Sequence, residues 1–103
     1  MPALAIEISR LIDDYFPGFV ECTLVDAHGV RHLFHEKSPI VSNENLQATS
    51  QYPQPGVIRC EILDKWEDTE GRSLVQVTTE RPDGVESTSG LSCFVVLPSL
   101  LQS

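Results

Sequence analysis

From Val57 to Leu97 the chain is a succession of β-prone segments cut by turn residues, and this pattern ties the molecule to a sheet-based fold. Over Val57–Lys65 the side chains of Ile58, Cys60 and Ile62 share one face, opposite Arg59, Glu61 and Leu63, and Trp66 closes the segment. Glu67 to Gly71 is a turn, Ser73 to Glu80 carries Val75, Val77 and Thr79 inward, and Pro82-Asp83-Gly84 turns the chain again. A short fifth strand follows from Val85 and a sixth from Leu91 to Leu97. Because Cys93 to Leu97 is continuously apolar, this last strand reads as central and covered on both faces.

The N-terminal half adds a hairpin and a helix. Leu4, Ile8, Leu11, Ile12 and Tyr15 recur at helical spacing with Glu7, Arg10, Asp13 and Asp14 between them, so residues 1–17 are expected to form an amphipathic helix ended by Pro17-Gly18. Val20, Cys22 and Leu24 then alternate with Glu21 and Thr23 in a half-buried strand. Asp26-Ala27-His28-Gly29 supplies a turn, and Val30 to Lys37 returns as the second arm of a hairpin. Residues 38–56 show no sustained period and read as a long loop that ends in the extended segment Tyr52 to Gly56. Structureless loops beyond about 12 to 15 residues are uncommon in compact domains and are often functional.

The expected fold is therefore mainly β (α+β), in one domain over residues 1–103. It is a small, partly open β-barrel or bent antiparallel sheet of about six strands, with the N-terminal helix packed on it and a tail from residue 98. At 103 residues and 41% hydrophobic, the chain is long enough for one modest core, as a monomer or as a homodimer.

Seven basic against fifteen acidic residues leave a net charge of -8, which opposes binding to nucleic acid and to anionic membranes and favours a basic protein partner. The cysteines Cys22, Cys60 and Cys93 are odd in number and widely spaced, with no C-x-x-C pair, as in a reducing cytoplasmic protein whose sulfurs face inward as small hydrophobes. The first residues lack the basic, then apolar, pattern of a signal peptide, and no membrane span is expected.

No hydrolase, nucleotide-binding or zinc-protease motif occurs, so neither a cofactor nor a metal is expected. His28, His32 and His35 are close in sequence, but residues three apart on a strand point to opposite faces, which prevents His32 and His35 from sharing a site. The densest charge feature surrounds Lys65 with Glu61, Asp64, Glu67, Asp68 and Glu70. Its spacing does not match an EF-hand, and it reads as a hairpin tip able to dock a basic surface. Tyr52, beside Pro53 and Pro55, and Trp66 add rigid rings of the kind enriched at interfaces.

The segments Tyr52 to Glu61, Thr79 to Thr88 and Phe94 to Leu97 resemble those of a family of short bacterial proteins that carries no established activity. The resemblance covers roughly Phe19 to Leu97 and implies a bacterial, cytoplasmic domain, with no functional residue to transfer. Two readings follow. In the first, the chain is a non-enzymatic acidic binding module, of immunity-protein type in its most specific form, using Tyr52, Trp66, Glu67, Asp68 and Glu70. In the alternative it is a small enzyme or ligand-binding barrel with a site between residues 42–56 and the first hairpin, where His32 or His35 acts as base, Glu36 as partner and Arg81 as anion holder.

Overall fold

In the computed structural model, which describes residues 1–102, 49% of the residues lie in strands and 7% in short helical turns, so the fold is mainly β. The expected N-terminal helix is instead the longest strand, β1 (Ala3–Asp13). Leu4, Ile6 and Ile8 alternate with Ala5, Glu7 and Ser9, and all three apolar side chains are buried. A helix would have turned Ile6 away from the stripe formed by Leu4 and Ile8, whereas a strand buries the full set. β1 also has a partner on each side. β2 (Phe19–Val25) pairs from Glu7↔Thr23 to Asp13↔Phe19, and β4 (Gln54–Arg59) pairs from Ala3↔Arg59 to Ile8↔Gln54. Two neighbours satisfy the backbone groups that a lone amphipathic pattern leaves undecided.

β3 (Arg31–Lys37) completes the order β3-β2-β1-β4 of the first sheet, paired with β2 from Phe19↔Lys37 to Val25↔Arg31. The second sheet has the order β5-β6-β7, made of β5 (Glu61–Glu67), β6 (Ser73–Thr78) and β7 (Cys93–Val96). The single strand expected over Val57–Lys65 is split at Cys60, where the chain leaves one sheet for the other. The Cys60 N–H donates to the Pro2 carbonyl at 3.0 Å as the last rung of the first sheet. Arg59 and Glu61 therefore belong to different sheets, a corner of the kind by which strands switch layers.

No barrel closes, because no ladder joins the two sheets among the described residues. A shared core holds them together instead: Phe94 of β7 meets Phe34 and His32 of β3 edge-on, with ring centroids 5.6 and 4.9 Å apart. Val85, expected to open a strand, is fully buried in a loop, its N–H donating to the Thr79 carbonyl and its carbonyl accepting from the Thr79 hydroxyl. The stretch read as a long loop contains a single helical turn, α1 (Ser38–Val41), and already pairs as β4 from Gln54. The tail after a 3-10 turn at Pro98–Leu100 adds β8 (Leu101–Gln102) beside the start of β1, with Leu101 opposite Leu4.

Three connections use one hydrogen-bond scheme. In Asp26–Val30, Asp68–Arg72 and Ser87–Leu91 the first N–H donates to the fifth carbonyl and the fourth N–H to the first carbonyl. The fifth N–H donates to the side-chain oxygen of the first residue. The fourth residue is a glycine each time, at φ of 78, 79 and 84°, where a side chain would be strained.

Candidate functional site

Among the described residues, β5 presents a long, open strand edge. β3 is met at its outer edge by the Thr88 N–H, which donates to the Leu33 carbonyl, and β7 by the Ala27 N–H, which donates to Val95. β4 carries Pro55, which has no N–H to offer. Among the described residues, β5 makes no backbone hydrogen bond outside its ladder to β6. Six of its seven residues are exposed, including Leu63 at 45% and Trp66 at 38%. Its protection is limited to its own charges and the bulge between Ile62 and Asp64.

Trp66 also lines a cleft of about 410 Å³ at the end of the second sheet. The antiparallel register sets Trp66 opposite Leu74 and Glu67 opposite Ser73. Pro98 and Leu101 close the far side, brought there because β8 is tied to Leu4 of β1. Lys65 and Glu67 stand at the same cleft. The arrangement is an apolar slot with charged groups beside it, flanking an open strand edge.

The acidic turn beyond it divides into two kinds of carboxylate. Asp68 builds the turn: its Oδ1 accepts from the Glu70 and Arg72 N–H groups at 2.9 Å each, and its Oδ2 from the Arg72 guanidinium at 2.9 Å. The Arg72 N–H, then its guanidinium, hold the Asp68 carboxyl below its ordinary range. Glu67 and Glu70 enter no ion pair among the described residues and stay exposed to an incoming cation. Arg72 also reaches the Ala27 carbonyl at 3.2 Å, so the Asp26 and Asp68 turns lie side by side.

Tyr52 does not join this surface. It is half-buried against the core, and its hydroxyl donates to the Gln47 carbonyl at 2.8 Å, bracing the loop before β4. Nor do the residues of the alternative site converge. His32 is hydrogen-bonded through Nε2 to Asp26 Oδ2 at 2.8 Å in a largely enclosed pair, while His35 lies on the other face of β3, 3.2 Å from Glu21. The Glu36 carboxylate accepts from the Lys37 N–H, and Arg81 pairs with Glu61. Burial pushes the Asp26 carboxyl up, but the hydrogen bond to His32 and the N–H groups of Val30 and His28 outweigh it and hold it below its ordinary value. No nucleophile stands beside this pair in the bonds it makes. No three His, Cys, Asp or Glu side chains among the described residues are placed to hold a metal ion.

Cys93, expected to face inward, is exposed, whereas Cys22 and Cys60 are buried. Leu74, Pro98 and Leu101 were not singled out by the sequence, since a cleft made by a sheet end and a returning tail leaves no local pattern. Comparison with protein-family models, with curated proteins and with solved structures returned no match.

Proposed function

We propose that this chain is a non-enzymatic binding module that takes an extended, basic segment of a partner protein along β5, with one apolar side chain seated in the Trp66 cleft. The observation that carries this reading is the coincidence of an unpartnered strand edge with an apolar slot at its end. An added strand gains main-chain hydrogen bonds from such an edge, and a neighbouring pocket supplies side-chain choice. Asp64, Glu67 and Glu70 set the sign of the partner, because the cations beside them are Lys65 and Arg72, the latter already paired with Asp68, and the whole chain carries -8. A basic toxin, neutralised as immunity proteins neutralise theirs, is the most specific partner class that this charge supports. The enzyme reading lacks an assembled site, since His32, His35 and Arg81 pair with three different carboxylates and the two histidines lie on opposite faces of β3.

Selection from a randomised displayed-peptide library on the immobilised domain tests the reading. Recovered sequences are expected to be rich in Lys and Arg around one aromatic or branched residue. Trp66→Ala should weaken their binding by about 2 kcal/mol, roughly thirtyfold, as for a buried aromatic anchor. Sequences of no particular charge, bound equally well by Trp66→Ala, would exclude it.

A further inference from the structure

A different surface lies at the far end of β2. The β1–β2 connection, residues 14–18, displays two adjacent aromatic rings to solvent, Tyr15 at 81% and Phe16 at 93% exposure. Single exposed apolar side chains are ordinary, but two neighbouring rings at one apex, with Ile12 and Phe19 also exposed at its base, form a patch that folding leaves unused. The apex is held in place. The Tyr15 N–H donates to Asp13 Oδ1 at 2.9 Å, the Gly18 N–H to the Tyr15 carbonyl at 2.7 Å, and the Gly18 carbonyl accepts from Ser38 at the start of α1. Rings presented by a braced turn lose little freedom on insertion, which is the property of an interface anchor.

We infer that Tyr15 and Phe16 form a wedge that inserts into an apolar socket of a partner protein whose rim carries Lys or Arg. Charge complementarity selects this occupant. At this end Asp13, Asp14, Glu36 and Glu44 outnumber Lys37, which the register sets opposite Phe19, while Arg10 is paired with Glu21, and residues 45–49 line a cleft together with Asp14. An anionic lipid surface would be repelled, and a second copy meeting it tip to tip would bring the same carboxylates. The wedge is independent of the Trp66 cleft. Arg72 touches the 26–30 turn, which the seven-residue β2 separates from the wedge by about 23 Å, taking ~3.3 Å per residue.

The test places a benzophenone amino acid at position 16 of the full chain, irradiated in a lysate of the source cells and, separately, with phosphatidylcholine vesicles with and without phosphatidylserine. The expected product is an adduct with a different protein whose cross-linked peptide has Lys or Arg beside apolar residues. Its yield should fall at least about fivefold with Asp14→Lys, a residue that makes no bond in the turn, as for a rim charge that steers association. Phe16→Ser should leave the melting temperature unchanged, which separates loss of the wedge from loss of the fold. An adduct only with a second copy, an adduct with lipid, an adduct insensitive to Asp14→Lys, or none at all would overturn the inference.

Discussion

Cys22 and Cys60 are buried in the core with Cys93 turned outward, although each of the three has apolar residues two positions away on both sides in sequence. Burial, then the charges of Glu36 and Glu21, pushes the Cys22 thiol up to about 12, and burial raises Cys60 as well. Since the thiolate is the reactive form, a disulfide reagent should label Cys93 rapidly in the native protein and reach Cys22 and Cys60 only at the rate of unfolding. The Asp26 carboxyl, held below its ordinary value in the fold, stabilises it above the unfolded carboxyl pKa and loses that contribution as pH falls through its folded value. Asp26→Asn should therefore cost about 1.5 kcal/mol in neutral urea titrations, the scale of a charge-assisted hydrogen bond. The difference from the parent should shrink as the solution is acidified. The opposite orientations of His32 and His35 follow from strand alternation alone and could be read directly. The bond from His32 to Asp26 could not, because it depends on how the turn places the carboxylate.

At the scale of the element, the β2–β3 hairpin was legible because Val20, Cys22 and Leu24 alternate and a glycine marks its turn. β1 was not. Leu4 and Ile8 satisfy both a helical and an extended period, and the choice is made by β2 and β4, which local sequence does not contain. Ile6 is the discriminating residue: Ile6→Lys should unfold the domain or lower its melting temperature steeply, whereas a helix would tolerate the change better on its flank. Gly56 is a second determinant that pattern alone hides. A Cβ there would come within 2.7 Å of Ile8 Cδ1 and 2.9 Å of the Val41 carbonyl, so α1 can cover the core only over a bare backbone. Gly56→Ala should destabilise by about 1–3 kcal/mol in thermal or urea unfolding, the usual cost of overpacking.

In the molecule as a whole, the acidic turn, the open edge of β5 and the returning tail meet at one end, and the aromatic wedge projects from the other. Trp66, Glu67 and Glu70, singled out in the sequence by residue type, stand exposed at this end, while Asp68 is absorbed into its turn and Tyr52 is half-buried against the core. The cleft itself depends on Pro98 and Leu101, which reach Trp66 only through the pairing of β8 with β1. Because the charges at this end are solvent-exposed, affinity for a basic partner should fall as salt is raised through the physiological range, where screening acts over about 8 Å. The most direct measurement is an amide and indole NMR titration of the labelled domain with a basic peptide recovered by selection. Strand addition at β5 predicts shifts and new exchange protection along Glu61–Glu67 together with movement of the Trp66 indole signal. Shifts confined to other strands, with β5 amides exchanging as fast as in the free protein, would contradict it.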